Sequence, residues 1–174
     1  MTKRSLTTLA CALLLALGLA ACGGSSKAPG VQTAPAGKTS DTPTTANVPP
    51  ALSHKPVVSV PKGAPPTHLV VKDLIQGNGA AAKANGTVTV NYVGVLYKTG
   101  KQFDSSWSRN QPFTTPLTAG SIIPGWVQGI QGMKVGGRRE LIIPPALGYG
   151  TRGSPPTIPP NSTLVFVVDL LSAS

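Results

Sequence analysis

Residues 124–145 read PGWVQGIQGMKVGGRRELIIPP, and within this stretch the pattern changes from helical to extended. Pro124 suits the first position of a helix, where its missing N–H group costs nothing, so we predict a short helix over residues 124–131. Three apolar residues recur at i, i+4 and i+7 and would share one face of it: Trp126, Ile130 and Met133. Gly125 and Gly129 each weaken an isolated helix by about 1 kcal/mol relative to alanine. Packing against another element must therefore hold this helix in place.

Extended segments surround the helix on both sides. Four runs are rich in valine, isoleucine, leucine and aromatic residues and are bounded by glycine, proline or asparagine: HLVVKDLI (68–75), TVTVNYVGVL (87–96), RRELIIP (138–144) and TLVFVVDLL (163–171). Residues 87–93 alternate with a period of two, which predicts a half-buried antiparallel strand. Gly100 supplies a residue tolerant of positive φ in the turn that leads to QFDSS. The pattern predicts an α+β fold, with an antiparallel β-sheet wrapped around one short α-helix, over residues 68–174.

The N-terminal end has the pattern of an export signal. A basic start is followed by an apolar run over residues 6–19, which is short for a membrane span and predicts a signal peptide over residues 1–21. The run ends in Leu-Ala-Ala-Cys-Gly at 19–23, which resembles the bacterial lipobox, so Cys22 is the predicted lipidation site. The alternative is an ordinary cleavage site with an incidental cysteine. The lipobox predicts an exported protein that is lipid-anchored to a bacterial membrane, on its extracytoplasmic or periplasmic side.

Residues 22–67 have the composition of a tether. They contain nine of the eighteen prolines, no aromatic residue and many alanine, threonine, serine and glycine residues. Such a segment buries too little apolar area to offset its conformational entropy, so we predict that it is disordered.

Charge and composition restrict the partners. The net charge of +10 is spread along the chain, and Arg138-Arg139 is the only adjacent basic pair beyond the signal peptide. Nucleic-acid binding usually needs a clustered basic stripe, so we expect none. The two histidines, His54 and His68, have no acidic or thiol neighbours at ligand spacing, so no metal is implied. The polar, proline-punctuated surface gives no signal for a dimer, so we expect a monomer.

One apparent nucleotide motif is rejected. Residues 148–153 spell G-x-G-x-x-G, which binds dinucleotides only between a strand and a helix. Proline pairs at 144–145 and 155–156 make both neighbours implausible. A serine hydrolase is also unsupported, because no nucleophile elbow is present.

All eight aromatic residues lie between Tyr92 and Phe166, and six of them have the spacing of the walls of one apolar pocket: Tyr92, Phe103, Phe113, Trp126, Tyr149 and Phe166. The strings around them are VNYVGVL, FDSSWSRNQPF, GYG and TIPPNSTLVFVVDLL, together with the stretch at 124–145. Taken together, they resemble the FKBP family of peptidyl-prolyl cis-trans isomerases. The resemblance extends over residues 88–171.

The resemblance implies a role for individual residues. Trp126 matches the floor of the pocket beneath the proline ring. The wall positions are Tyr92, Phe103, Phe113, Ile122, Ile123 and Phe166. In the family, the N–H group at the position of Ile123 and the phenol at that of Tyr149 donate hydrogen bonds to ligand carbonyls. Asp104 lies beside the rotating carbonyl and is held in place by Arg109, and Ile158 matches a loop that overhangs the site.

The family chemistry fits a chain without a nucleophile or cofactor. Rotation about an X–Pro bond breaks no covalent bond and only has to overcome a barrier of about 18–20 kcal/mol. The resemblance implies proline-containing polypeptides as substrates, FKBP-directed macrolides as ligands and no cofactor. Departures from the family pattern at Thr115, Ser121, Ser154 and Thr157 are expected at the rim, where they would affect substrate preference and macrolide affinity.

Two other interpretations remain open at this point. The same aromatic residues could be ordinary core, with Asp104 and Arg109 forming a surface ion pair of little energetic value. The cleft could also hold proline-containing segments as a chaperone or adaptor with little turnover, or be incidental to a structural envelope lipoprotein.

Overall fold

The computed structural model describes residues 49–174. Six strands are present: β1 (Val70–Ile75), β2 (Thr87–Leu96), β3 (Gln102–Ser105), β4 (Phe113–Pro116), β5 (Arg138–Ile143) and β6 (Leu164–Ala173). The α-helix, α1, spans Pro124–Ile130, and single 3-10 turns lie at Pro50–Leu52, Trp107–Arg109 and Pro145–Leu147. The predicted helix and the four predicted strands are confirmed. β3 and β4 were not predicted as strands, because QFDS and FTTP are each only four residues long and lack a run of branched apolar residues.

The six strands form one antiparallel sheet. Its order is β1-β5-β6-β2-β3, and β4 pairs with β2 beyond this path. The two ten-residue strands, β2 and β6, lie side by side along nearly their full length. The α+β fold predicted from the sequence is therefore confirmed.

The inner face of the sheet packs on α1. Alternate residues of β2, β5 and β6 join Trp126, Ile130 and Met133 in the main hydrophobic cluster, and these three helix-side residues are at most 4% exposed. The two glycines of α1 allow this close approach. A Cβ atom on Gly125 would lie 2.5 Å from Ile143 Cγ2, and one on Gly129 would lie 2.6 Å from Leu141 Cδ2. Glycines that weaken the isolated helix are thus needed to pack it against β5.

The outer face of the sheet carries a second hydrophobic cluster. It is formed by Val93, Val95, Tyr97, Ile142 and Val165. Because this face is covered, β2 is buried on both sides from Tyr92 to Leu96. The prediction of a half-buried strand over residues 87–93 therefore agrees with the burial pattern up to Asn91 and is wrong for Tyr92 and Val93.

Part of the segment predicted to be a disordered tether lies against this outer face. Leu52 is 2% exposed, and Val58 and Val60 pack against the second cluster. The prediction needs correction for residues 49–67, because apolar residues spaced among the prolines bury area on the sheet. Residues 22–48 of the tether, the predicted signal peptide and Cys22 lie outside the described residues. Within residues 49–174, no helix is long and apolar enough to cross a membrane.

Candidate active site

An aromatic cavity opens on the inner face of the sheet, next to the N-terminus of α1. Its volume is about 960 Å³, within the range of small-molecule and peptide sites. Trp126 is 4% exposed and forms edge-to-face contacts with Tyr92 and Phe166, with ring centroids 5.2 Å apart in both pairs. Phe113 and Tyr149, at 38% and 39% exposed, lie at the mouth. The cavity therefore has a buried aromatic floor and a partly exposed rim.

The walls are positioned by the pleat of the sheet and by one glycine. Phe103 of β3 packs edge-to-face on Phe166 of β6, with centroids 5.4 Å apart. Gly94 of β2 lies between these strands, paired with Phe166 on one side and Asp104 on the other. Because Gly94 has no side chain, the two rings can meet beneath the cavity.

A polar network lies on one wall of this apolar cavity. Tyr92 Oη donates a hydrogen bond of 2.5 Å to Asp104 Oδ2 and accepts one of 2.8 Å from Arg109 Nη2. Arg109 Nη1 also donates to Asp104 Oδ1 at 2.5 Å, and the Ser105 N–H donates to the same oxygen at 2.7 Å. The carboxylate is thus fixed by three donors on β2, β3 and the 3-10 turn.

The protonation states follow from these contacts. Partial burial opposes ionisation of Asp104, but hydrogen bonds from Tyr92, Arg109 and the Ser105 N–H hold the pKa of its carboxyl below the usual value. Burial, followed by the hydrogen bond to Asp104, raises the pKa of Tyr92 to about 12. Burial and the negative charge of Asp104 also raise the pKa of Tyr149. At neutral pH the cavity therefore presents one carboxylate and two phenols that remain hydrogen-bond donors.

The structure brings together most of the residues implied by the resemblance. Ten of them line the cavity: Tyr92, Phe103, Asp104, Arg109, Phe113, Ile122, Ile123, Trp126, Tyr149 and Phe166. Ile158 does not line it. It is 4% exposed and belongs to the main hydrophobic cluster, and its role in a loop that overhangs the site stays a prediction.

The structure also adds lining residues that the sequence analysis did not assign as site residues. They flank the helix or lie on its first turns: Ala119, Gly120, Ser121, Pro124, Val127 and Gln128. The proline that begins α1 is the signal that could have found them, since a helix whose N-terminus faces a cavity exposes both its first turns and the loop before it. Of the four predicted rim departures, only Ser121 lines the cavity, and Thr115 is 5% exposed on β4.

Comparison with known proteins decides between the interpretations. The sequence model of the FKBP-type peptidyl-prolyl cis-trans isomerases matches residues 78–171. The chain belongs to this family. A chaperone or adaptor with little turnover is therefore not the interpretation that the family supports.

Relatives that are matched over nearly their full length support the assignment. The chain is 54% identical to an FK506-binding protein of Streptomyces anulatus over 119 residues, which cover 68% of this chain and 96% of the relative. It is 50% identical to a probable FK506-binding protein of Corynebacterium glutamicum, with 68% of this chain and 98% of that protein covered. The crystal structure of AtFKBP13 superimposes with a TM-score of 0.58 at 37% identity, over 63% of this chain and 96% of that one. The fold and the isomerase activity of this FKBP domain are thus established together.

No group of three or more His, Cys, Asp or Glu side chains that could hold a metal ion occurs within residues 49–174. The residues around the cavity are instead suited to hold a proline ring and an amide, with apolar contacts below and hydrogen-bond donors at the rim.

Proposed function

We propose that this FKBP-type isomerase acts on proline-containing segments of exported proteins while it is anchored to a bacterial membrane through a lipid on Cys22. The sequence Leu-Ala-Ala-Cys-Gly after a basic and apolar N-terminus supports the anchor. Export would place the enzyme where newly translocated chains fold, and uncatalysed X–Pro isomerisation, which takes tens of seconds or more, is the step it would accelerate. The protein acts as a monomer without nucleic acid.

The cavity accelerates rotation by changing the surroundings of the prolyl amide. The planar amide is more dipolar than the twisted one, so water stabilises the ground state more than the transition state. A proline ring above Trp126, enclosed by Tyr92, Phe103 and Phe166, loses that water. Each 1.4 kcal/mol by which the barrier falls increases the rate about tenfold. The aromatic floor, with Trp126 at 4% exposed, is the observation that carries this mechanism.

Polar residues at the rim orient the amide. Tyr149 lies at the mouth with a phenol that remains protonated, so its Oη can donate to a substrate carbonyl. The Asp104 carboxylate, fixed by Tyr92, Arg109 and the Ser105 N–H, lies on the cavity wall and acts on the rotating carbonyl by its charge. The N–H group of Ile123, at the start of α1, serves the second carbonyl.

Asp104→Ala and Tyr149→Phe should each lower kcat/KM for a short Xaa-Pro peptide by about tenfold or more, because each removes one oriented polar contact. Circular dichroism and the thermal midpoint should change little, since Asp104 and Tyr149 are both substantially exposed, with side-chain accessibility of 40% for Asp104. The measurement is a protease-coupled assay with and without FK506, which should inhibit the parent chain. Unchanged turnover in both variants would contradict these roles, and peptide binding by the parent without rate enhancement would contradict catalysis.

Cys22→Ser should release the protein from the membrane fraction of a bacterial host, because it removes the thiol that would carry the lipid. Cys11→Ser is the matched control, since Cys11 lies within the apolar run of the predicted signal peptide and should leave the lipid in place. Fractionation with mass spectrometry of the N-terminal peptide measures both. Equal membrane association of the two variants, or an unmodified Cys22, would contradict the anchor.

A further inference from the structure

Residues 49–64, termed here the strap, form an ordered segment on the outer face of the sheet, opposite the cavity. The strap is fixed by polar contacts to three strands or strand ends. Arg138 Nη2 of β5 donates to the His54 carbonyl at 3.0 Å, Lys55 Nζ donates to Gln102 Oε1 of β3 at 2.7 Å, and Tyr97 Oη donates to the Ala64 carbonyl at 3.4 Å.

Apolar contacts of the strap meet those of the 3-10 turn that carries Arg109. Val58 and Val60 pack against the second cluster, and Trp107 packs against the same cluster from the turn Trp107–Arg109. One member of this cluster, Val93, is paired with Ser105 at the end of β3. The strap and this turn therefore pack on the same hydrophobic cluster, which is formed by β2, β5 and β6.

The ion pair between Asp104 and Arg109 at the cavity depends on the packing of the segments that carry the two residues. β3 is four residues long and lies at one edge of the sheet order, and the turn that carries Arg109 is a single one. Asp104 and Arg109 are 40% and 49% exposed in their side chains. An ion pair this exposed contributes little energy of its own, so its geometry depends on the packing of the segments that carry it.

We propose that the strap is a positioning element for catalysis. By packing on the second cluster and binding Gln102, it fixes β3 and the turn Trp107–Arg109, and thereby sets the distance between Asp104 and Arg109 at the cavity wall. Val58, Val60 and Trp107 are positioning residues in this arrangement and do not contact the substrate. The proposal rests on the role of Asp104 given above and extends the functional unit to residues outside the region matched by the family, 78–171.

Val58→Ser in the full chain tests the proposal, with Val57→Ser as the matched control. Val58 packs against the second cluster, whereas the side chain of Val57, its neighbour, is 94% exposed. At a temperature well below the thermal midpoint of every variant, Val58→Ser should lower kcat/KM by about three- to tenfold, since small misplacements of positioned groups reduce rates strongly. Val57→Ser should have the kcat/KM of the parent protein. Val58→Ile, which keeps an apolar side chain at this position, should retain most of the activity. Trp107→Leu, which loosens the same cluster from the turn, should resemble Val58→Ser.

A double-mutant cycle with Arg109→Ala separates positioning from general stability. If the strap acts through Arg109, Val58→Ser should have little further effect on kcat/KM once Arg109 has been removed. A lower thermal midpoint for Val58→Ser with kcat/KM equal to that of Val57→Ser would overturn the proposal and leave the strap a structural element. Full additivity in the cycle would overturn it too. If Arg109→Ala alone left kcat/KM unchanged, the role of the Asp104–Arg109 pair and the strap proposal would both fail. If Arg109→Ala lowered kcat/KM but Val58→Ser did not, only the strap proposal would be rejected.

Discussion

Gly94→Ala should lower kcat/KM by about 10- to 100-fold, the largest loss of activity expected from a single methyl group in this protein. A Cβ atom at position 94 would lie 2.7 Å from Phe103 Cζ and 2.7 Å from Phe166 Cε1. Carbon atoms pack at about 3.5–4.0 Å, so both rings would have to move by about 1 Å. Phe166 also packs against Trp126, with ring centroids 5.2 Å apart. The displacement would therefore reach the floor on which the proline ring rests.

Gly129→Ala is the matched control for this prediction. Its Cβ atom would lie 2.6 Å from Leu141 Cδ2, a comparable overlap, but Leu141 does not line the cavity, whereas Phe103 and Phe166 do. Overpacking should lower the free energy of unfolding by about 1–3 kcal/mol in both variants. In Gly129→Ala, the higher helix propensity of alanine should offset part of this loss. Only Gly94→Ala should lose activity at temperatures where both are folded. Equal kcat/KM in the two variants, measured with the same Xaa-Pro peptide, would show that the cavity tolerates a shift of Phe103 and Phe166.

Asp169→Ala should reduce the free energy of unfolding by about 3–5 kcal/mol, because it leaves the charge of Arg138 without a partner in a buried place. Asp169 is 0% exposed on the outer face, and its two oxygens accept hydrogen bonds from Arg138 Nε and Nη2 at 2.5 and 2.8 Å. Burial raises the pKa of Asp169 despite the neighbouring guanidinium. The same arginine also binds the carbonyl of His54, so loss of Asp169 should loosen the strap as well.

A second ion pair in the same sheet provides the control. Asp73 accepts hydrogen bonds from Arg139 Nε and Nη2 at 2.6 and 3.1 Å, and Arg139 is 12% exposed in its side chain, as is Arg138. The two pairs differ in the exposure of the carboxylate, since the side chain of Asp73 is 36% exposed and that of Asp169 is 0% exposed. After Asp73→Ala, Arg139 keeps the carbonyl oxygens of Gly129 and Gln131 as acceptors, and water can reach the place of the lost carboxylate. The variant should therefore change the unfolding free energy by no more than about 1 kcal/mol. Urea denaturation of both variants measures the difference, and similar losses would mean that burial of the carboxylate is not what sets the energetic value of the pair.

Much of the fold followed from local patterns because each pattern has one simple physical origin. Pro124 and the spacing of Trp126, Ile130 and Met133 specify the helix, and runs of branched residues specify β1, β2, β5 and β6. β4 has no such pattern. Residues 113–116 become a strand because their backbone pairs with the first residues of β2, which is a contact between segments distant in sequence.

The cavity residues could be predicted from the sequence for a different reason. Aromatic side chains are large and few, so their order along the chain identifies the pocket, and ten of the implied residues line it. The orientation of Ile158 could not be predicted in this way, because the sequence shows that a residue lies in a loop, but not whether its side chain turns to the mouth or to the core. Its backbone pairing with Ser154 folds the loop so that the side chain is buried.

The sequence by itself determined the short helix, the main strands, the aromatic residues of the pocket and the family to which they belong. These features depend on local periodicity and on residue identity. Tertiary structure alone decided that Gly94 leaves room for the rings of Phe103 and Phe166 to meet, that Tyr92 of β2 donates to Asp104, and that residues 49–64 cover the outer face of the sheet. Each of these depends on the packing of separate segments of the chain, and a proline-rich segment is ordered only where the sheet offers it an apolar surface to cover.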